Sequence, residues 1–510
     1  MNTPHSGVAH FPSFTSRLAR CCTFAGALAV AFVTSPVVRA QASAVSPSSS
    51  SAAIAAGNVT TGNSTIGNST AAGKGTVSLG DLVNFDQEIP NVDRQQALAD
   101  GSMPVVPPLK KIPDQTGPIG SKAWWKGPYA FGDFAGLRPA LEDQGVDLGL
   151  TYLSNLAGNP YGGQRQGFTN TGSTGLNLDL DLEKIAGLQG WDFYSTAVWR
   201  YGESLTLQYL KNQFNVQQNF GGQNMRLYSA YLQKQWYNDH YLIKFGRFGA
   251  GDDFLSSPIY WLYMSNAIDG NPVSVFFNVP WTAYPNGTWA FFTRAKPVRD
   301  WYVQAGVYEG QTAYQTRMAA HGVDLSFVTG RGVNVNVQGG YTPNSEKGAT
   351  GLPGHYSVGA YLTTGPYQLL AEPSRTVQNN YGFYVMLDQM IYRPGKPGSP
   401  EGLTPWFVAE IAPKSDRSQM PYFFAGGAVY QGLIPGRKND VTAVGVVYGK
   451  YSGQLTGPQR NSYEAMVETN YKIQVNKWFF VQPDLQYILN TAGGLYPDAL
   501  VLGAQVGMTF

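Results

Sequence analysis

The sequence has few cysteines and few charged residues, and it has no long apolar run beyond its N-terminal region. Both cysteines, Cys21 and Cys22, lie within the first forty residues, so the rest of the chain excludes disulfides, thiolate metal sites and cysteine nucleophiles. Charged residues make up 13% of the chain, about half the share typical of soluble globular proteins. No stretch after residue 40 offers about 18 consecutive apolar residues, which argues against transmembrane helices.

The charge balance and the aromatic content narrow the class of protein further. With 35 basic and 33 acidic residues, the chain lacks the positive excess of a nucleic-acid-binding protein. Its 60 Gly, 31 Tyr, 26 Phe and 11 Trp are instead typical of a membrane-spanning β-barrel, where apolar residues alternate with polar ones. A secreted soluble β protein, such as a lectin or propeller, is the alternative, but it would need more surface charge.

The first 125 residues predict segments that lie outside the folded part. Arg17 and Arg20 precede the apolar run 21–33, and a small-residue site ends at Ala40, so residues 1–40 predict a cleaved signal peptide. Residues 41–125 are rich first in Ser, Asn and Thr and then in Pro, which predicts a mostly disordered extension. Residues 126–145 predict a short helical segment that leads into the main fold.

From residue 146 to residue 510, apolar and polar residues alternate, so the hydrophobic pattern repeats every two residues. The run Leu176–Leu182 alternates leucine with Asn or Asp without interruption. We count 16 to 18 such segments of about ten residues, the length that a tilted strand needs to cross a bilayer. Aromatic residues recur near the segment ends, as Trp191 and Tyr201 illustrate, and resemble the girdles at membrane interfaces. The predicted fold is an all-β, transmembrane antiparallel β-barrel over residues 146–510.

The C-terminal strand supports this prediction and sets its register. Counting back by twos from Phe510 gives apolar residues, among them Met508, Val506 and Leu502, which we expect to face lipid, whereas Gln505 should face the lumen. A last strand that ends on an aromatic residue is the pattern associated with recognition by the outer-membrane insertion machinery. The sequence therefore predicts export to the outer membrane of a Gram-negative cell.

Several motifs, in order along the chain, resemble the carbohydrate-selective porins of the OprB family. They are the stretches 131–145, 245–254, 352–361, 430–440 and 463–487. The resemblance implies a barrel of 16 strands with short periplasmic turns, longer outer loops, a lumen narrowed by an infolded loop, and passive sugar uptake, often as a trimer. Sixteen strands would fit our count if a segment such as Val273 to Phe277 belongs to a loop. The chain departs from the family at Asp269, where members often have cysteine.

The inward parity of the strands predicts the side chains that line the lumen. A sugar channel needs fixed donors and acceptors for hydroxyl groups, together with binding weak enough to release the solute. Arg247, Asp252 and Asp253 are added because they fall in the motif 245–254, although the strand register leaves the direction of Arg247 open. The candidate pore-lining residues are Asn177, Asp179, Asp181, Asp192, Arg200, Arg247, Asp252, Asp253, Arg294, Glu410, Glu464, Glu468, Gln482, Asp484 and Gln486. For each of them, an ordinary solvated lumen side chain or a turn clamp remains the alternative.

Three functions stay open at this point. The first is a porin for glucose-like sugars and polyols, and the second is a general small-solute porin without a sugar preference. The third is a barrel enzyme such as a phospholipase, which would need a Ser–His pair on the lipid-facing wall. His355 is the one histidine near a matched motif, and a turn or strand-end role suits it better, so we expect neither catalysis nor a cofactor or metal. The expected partners are outer-membrane lipids and small sugars, with no nucleic acid.

Overall fold

A computed structural model describes residues 119–510 except 222, 237–239, 311–320, 328–329, 331 and 346–348. The predicted signal peptide and most of the predicted extension lie outside these residues. In the part of the chain that the structure describes, no helix is both long and apolar enough to cross a membrane.

The described chain forms a closed antiparallel barrel of 16 strands in which β1 pairs with β16. The prediction of a transmembrane barrel is confirmed, and the strand count settles at the lower end of the expected range. The strands are β1 (Val146–Tyr161), β2 (Phe168–Asp181), β3 (Trp191–Gly202), β4 (Met225–Trp236), β5 (Tyr241–Phe248), β6 (Thr288–Val298), β7 (Trp301–Glu309), β8 (Val333–Tyr341), β9 (Gly354–Gln368), β10 (Thr376–Gln389), β11 (Gly402–Ile411), β12 (Tyr422–Gln431), β13 (Val441–Lys450), β14 (Tyr463–Asn476), β15 (Phe479–Leu489) and β16 (Ala499–Thr509).

The helices are short and lie between strands or ahead of β1. Two precede the barrel, and the residues expected to form a loop, Val273 to Phe277, fall at a helix between β5 and β6. The helices are α1 (Lys122–Lys126), α2 (Leu137–Asp143), α3 (Leu182–Ala186), α4 (Ser274–Asn278) and the kinked α5 (Thr491–Gly494), with a π-helical turn at Thr206–Leu210 and 3₁₀ turns at Ala250–Asp252 and Tyr260–Leu262.

Side-chain alternation places apolar residues on the outside of the barrel. On β16, Leu502 is 51% exposed whereas Gln505 is fully buried, as the reading back from Phe510 predicts. On β13, Val444, Val446 and Tyr448 are exposed in the same way. Because successive side chains of a strand point to opposite faces, this pattern gives a continuous apolar outer wall that suits contact with lipid.

Two long connections fold into the barrel and fill much of its interior. We call them inner loop 1 (residues 203–224, between β3 and β4) and inner loop 2 (residues 249–287, between β5 and β6). Inner loop 2 is almost entirely buried, and apolar residues such as Tyr263 and Met264 pack there against inward wall residues such as Trp406 and Val447. Gly445 permits this approach, since a Cβ there would lie 2.9 Å from the Tyr263 ring. The apolar core of the protein thus lies between the inner loops and the wall.

Candidate functional site

A group of polar and aromatic side chains gathers where both inner loops meet the wall formed by β3 and β4. Arg200 lies on β3, and Arg226 and Tyr228 lie on β4, all with inward parity. Inner loop 2 supplies the remaining members from its two ends, next to β5 and β6. We call this group the constriction cluster: Arg200, Arg226, Tyr228, Asp252, Tyr284 and Asn286.

Aromatic contacts and a short hydrogen bond hold the centre of the cluster. The Tyr228 hydroxyl donates to the Asp252 carboxylate at 2.6 Å. The rings of Tyr228 and Tyr284 meet edge to face with centroids 5.0 Å apart, and the Arg200 guanidinium lies 5.3 Å from the Tyr284 centroid. Gly249 makes room for this arrangement, since a Cβ there would lie 2.7 Å from the Tyr228 hydroxyl oxygen. Asp252 is half-buried.

The two arginines of the cluster also contact the loops that bound it. Arg226 donates through Nη1 to the Asn286 side-chain oxygen, and through Nε to that of Asn224 at 2.7 Å. Arg200 Nη1 lies 3.4 Å from the carbonyl oxygen of Gly221 in inner loop 1. The cluster therefore combines guanidinium donors, a carboxylate acceptor, an amide and two tyrosine rings, which is the set of groups that hydroxylated solutes can use.

The wall formed by β14 presents acidic side chains, and backbone N–H groups of the inner loops bind them. The Glu464 carboxylate accepts from the backbone N–H groups of Gln213 and Phe214, each at 2.8 Å, and from that of Ala492 at 2.8 Å. The Glu468 carboxylate accepts from Met264 N–H at 2.6 Å and has Ser265 N–H at 3.2 Å. Both glutamates are fully buried, so they fix the inner loops against β14.

Other predicted lumen residues on this side bind the same loops. Glu410 accepts from Ser274, from Asn278 at 3.3 Å and from the Tyr361 hydroxyl at 2.6 Å, which secures α4. Gln482 donates to the carbonyl of Leu262 at 3.1 Å.

Two further predicted residues, on β15, complete this wall. Gln486 donates to the carbonyl of Val216 in inner loop 1 at 3.1 Å and to the side chain of Asp484 at 2.8 Å. Asp484 in turn is hydrogen-bonded to Glu468. We call Glu410, Glu464, Glu468, Gln482, Asp484 and Gln486 the loop-anchoring wall.

Asp253 and Arg294 lie near each other, and Asp253 directly follows Asp252 of the constriction cluster. Asp253 forms an ion pair with Lys244 of β5, and Arg294 of β6 is close enough to act on it electrostatically. The backbone carbonyl of Asp253 also accepts from Gln304 of β7. These contacts join the start of inner loop 2 to three neighbouring strands.

Four predicted residues, Asn177, Asp179, Asp181 and Asp192, lie in the halves of β2 and β3 that lead to the β2–β3 connection. This connection is on the same rim as the two-residue β6–β7 and β14–β15 connections. Asn177 accepts from the Thr196 hydroxyl at 2.9 Å, and Asp181 pairs in register with Asp192. Asp181 also accepts from the backbone N–H of Lys184 at 3.0 Å, which makes it the N-cap of α3. Asp179 lies one inward position further into the barrel. Asp181 and Asp192 lie at the ends of their strands, whereas Asn177 is level with Thr196 and Ser229, next to Tyr228 of the cluster.

Arg247 lies on the outward side of β5. Its neighbour two residues back, Phe245, is exposed on the outer wall, whereas Phe248 points inward and packs on Tyr231. Arg247 is nevertheless buried, and its Nη1 is 3.5 Å from the carbonyl oxygen of Asp324 in the β7–β8 connection. This geometry gives Arg247 a contact with an outer loop, so we leave it out of the constriction cluster.

The structure identifies cluster residues that sequence reasoning did not select. Arg226 and Tyr228 alternate with the outward Leu227, and that period-two signal could have revealed them. Tyr284 and Asn286 lie in inner loop 2, which has no periodicity that would indicate an inward direction.

His355 lies inside the barrel at the start of β9. Its Nε2 is hydrogen-bonded to the Tyr302 hydroxyl at 2.9 Å, and its Nδ1 is 3.5 Å from the Asp388 carboxylate. The side chain is buried and faces the lumen, not the lipid. Among the described residues, no group of three or more His, Cys, Asp or Glu side chains could hold a metal ion.

Known proteins of similar sequence and structure are outer-membrane channels. Residues 165–510 match the family described as carbohydrate-selective porin, OprB family. Porin B of Pseudomonas aeruginosa is 27% identical over 423 residues, which cover 75% of this chain and 91% of that protein. The high-pH structure of OprB from Pseudomonas putida covers 76% of this chain and 99% of its own, with a TM-score of 0.69 at 24% identity. The low-pH structure of the same protein gives a TM-score of 0.51 at 22% identity.

Proposed function

The chain belongs to the carbohydrate-selective porin family, OprB, and we propose that it lets glucose-like sugars and polyols diffuse passively through its lumen into the periplasm. It is a porin of the Gram-negative outer membrane. Because outer-membrane barrels have short periplasmic turns, the rim at the two-residue β6–β7 and β14–β15 connections faces the periplasm. The inner loops then enter the lumen from the outer side.

The constriction cluster is the observation that supports a sugar as the solute. Arg200 and Arg226 offer several N–H donors, and Asp252 offers acceptors to hydroxyl hydrogens. Tyr228 and Tyr284 offer ring area to the C–H faces of a pyranose. A polyol that passes the cluster can exchange its hydrogen bonds with water for bonds with these groups.

The balance of charge around the cluster favours a neutral solute. The cluster contains both signs, with two guanidinium groups and one carboxylate within the same contact network. On the loop-anchoring wall, Glu464 and Glu468 are engaged by backbone N–H groups of the inner loops, and Glu410 is engaged by side chains. The mixed charge of the cluster suits a neutral hydroxylated solute, and weak individual hydrogen bonds allow the sugar to leave.

Planar-bilayer conductance tests the sugar preference. Added glucose should reduce the current of the wild-type channel in a saturable way, because a bound sugar obstructs ions at the constriction cluster. Amino acids of similar size should reduce the current much less at the same concentration. An equal reduction by both solute classes would contradict a sugar preference and favour a general small-solute porin.

The family indicates a channel rather than an enzyme, and we further propose that the barrel has no hydrolase activity. The contacts of His355 with Tyr302 and Asp388 are all inside the lumen, away from lipid acyl chains. A phospholipase assay of the wild type and of His355→Ala tests this. Activity that is present in the wild type and lost in the variant would overturn it.

The family indicates membrane lipids and small solutes as partners. We propose two further partners, the barrel insertion machinery and two more copies of the chain. We propose that the insertion machinery recognises the last strand, and replacing Phe510 with Ser should reduce the amount of folded protein in the outer membrane. We also propose a homotrimer, which native mass spectrometry of the detergent-extracted protein tests directly. A monomeric mass would contradict the trimer and leave the channel proposal intact.

A further inference from the structure

The chain ahead of β1 packs against the lipid-facing side of the barrel rim. The ring of Phe131 lies 4.8 Å from that of Phe510, which continues the outward series of β16. Trp124 in α1 lies 5.2 Å from Trp478 in the β14–β15 turn, next to the outward Phe479. Both contacts place residues 119–137, which we call the rim segment, beside the outer wall on the periplasmic rim.

Hydrogen bonds fix the rim segment to both ends of the barrel sheet. The backbone N–H of Ala130 donates to the carbonyl of Thr509 at 2.8 Å. The indole N–H of Trp124 donates to the carbonyl of Ala130 at 2.8 Å, which folds α1 back on the segment. Arg138, the residue that follows the segment, donates to the carbonyls of Leu148 in β1 and of Phe510 at 2.7 and 2.9 Å. The segment is therefore a fixed part of the rim.

The rim segment exposes several large apolar side chains. Five large apolar side chains leave between 43% and 68% of their surface uncovered by the described chain, and they lie close together in sequence. Exposing such a surface to water is unfavourable, and contiguous apolar patches commonly mark an interface. The five are Ile119, Trp125, Phe131, Phe134 and Leu137.

Two exposed lysines, Lys122 and Lys126, accompany these apolar groups on α1. Tryptophan and lysine at the edge of an apolar surface are typical of the membrane interface, where the ring sits at head-group level and the ammonium group meets lipid phosphates. The positive charge complements anionic phospholipid. The apolar surface also continues, through Phe510 and Phe479, into the wall that already faces lipid.

We propose that the rim segment is an interfacial anchor that inserts its apolar side chains into the periplasmic leaflet of the outer membrane. Lys122 and Lys126 contact the phosphates of anionic phospholipids in that leaflet. The continuity with the lipid-facing wall favours lipid over a second copy of the chain as the occupant. The anchor would hold the β1–β16 seam at the depth of the membrane interface.

Depth-dependent fluorescence quenching tests the anchor in the full chain purified from outer membranes. Because both cysteines, Cys21 and Cys22, lie in the predicted signal peptide, Phe134→Cys supplies a single reporter thiol in the exported protein, which is labelled with bimane. The matched control is Lys438→Cys, in the β12–β13 turn of the same rim, where the side chain is 75% exposed. Vesicles contain phosphatidylethanolamine, phosphatidylglycerol and a lipid with a nitroxide near the head group.

The lipid nitroxide should quench the label at position 134 several times more strongly than the label at 438, and aqueous iodide should show the reverse order. Equal iodide quenching at both positions would overturn the proposal, because residue 134 would then lie in water. Protection of position 134 from both quenchers would also overturn it, since a protein, such as a second copy, would then cover the surface.

The lysines are tested by changing the lipid charge. In the labelled protein, Lys122→Gln with Lys126→Gln should lower the extent of lipid quenching in vesicles that contain phosphatidylglycerol, with an effect of about fivefold per lysine on the insertion equilibrium. Lys438→Gln serves as the control and should change nothing. Lipid quenching that is insensitive to phosphatidylglycerol in the wild type would show that the head-group contact is wrong.

Discussion

The two sides of the lumen contain the same kinds of side chain but use them differently. On the loop-anchoring wall, carboxylates such as Glu464 and Glu468 accept from backbone N–H groups of the inner loops and are fully buried. In the constriction cluster, Asp252 accepts from a tyrosine side chain and keeps part of its surface exposed. The first arrangement holds the inner loops against the wall of the barrel. The second is the arrangement that we propose for contact with the solute, and Asp252 is its least buried member.

Removing a loop anchor should give the largest effect. Glu464→Ala would leave the backbone N–H groups of Gln213, Phe214 and Ala492 buried without their acceptor. Each such loss costs about 1–3 kcal/mol, so we expect the free energy of unfolding to fall by about 3 kcal/mol or more. Inner loop 1 should withdraw from the lumen, which raises the ion conductance and abolishes the glucose-dependent reduction of current.

Urea unfolding in lipid vesicles and single-channel recording measure these two effects. Glu464→Gln is the matched control, because it keeps one acceptor oxygen and should lie between the wild type and the alanine variant. Unchanged conductance and stability in Glu464→Ala would show that this wall does not hold the loops.

Removing one hydroxyl from the constriction cluster should weaken glucose binding while the barrel still folds. Tyr228→Phe takes away the donor to Asp252, whose carboxylate then loses its fixed orientation but can still be hydrated. A hydrogen bond to a charged acceptor is worth about 1.5–3 kcal/mol, so the glucose concentration for half-maximal current reduction should rise at least about tenfold.

Tyr201→Phe provides the control for that variant. Tyr201 is bonded to Tyr152 at 2.9 Å on the outward side of β3, away from the cluster. Its loss should leave the glucose response unchanged. A larger change in Tyr201→Phe than in Tyr228→Phe would place sugar recognition outside the cluster.

The smallest effect is expected at the periplasmic rim. Asp181→Ala removes the N-cap of α3, which should cost about 1 kcal/mol locally, while glucose flux and conductance stay at wild-type values. Hydrogen exchange of the α3 amides and the same bilayer recordings measure both parts. Asp181→Asn retains a capping oxygen and should behave as the wild type. A marked loss of glucose response in Asp181→Ala would extend the solute site to this rim.

The strand periodicity predicted much of this fold but only part of the candidate site. Alternation assigned Glu464, Glu468 and Gln505 to the lumen side, because residues two apart share one face of a strand. It could not predict that inner loops would occupy these groups, since contacts such as Glu464 with Gln213 join positions that are remote in sequence. Tyr284 lies in a loop without periodicity and had no comparable signal.

Arg247 shows another limit of a reading based on motifs. The motif placed it near Asp252 and Asp253, but successive strand residues point to opposite faces, and the sequence does not indicate the left-handed φ of the preceding Gly246. In the structure it contacts the carbonyl of Asp324 on the outside of the strand. A motif can therefore indicate a loop while leaving the direction of each side chain open.

The most direct test of the difference between the two lumen sides is a glucose titration of the single-channel current in the wild type, Arg226→Gln and Arg165→Gln. Arg165 is an exposed arginine near the outer rim, where it contacts Gln208 and Tyr209 of inner loop 1 but no member of the constriction cluster, and it serves as the charge-matched control. A hydrogen bond from a charged donor is worth about 1.5–3 kcal/mol, so the half-maximal glucose concentration should rise at least about tenfold in Arg226→Gln and stay constant in Arg165→Gln. An unchanged glucose response in Arg226→Gln, with the channel still open and folded, would contradict the assignment of sugar recognition to the constriction cluster.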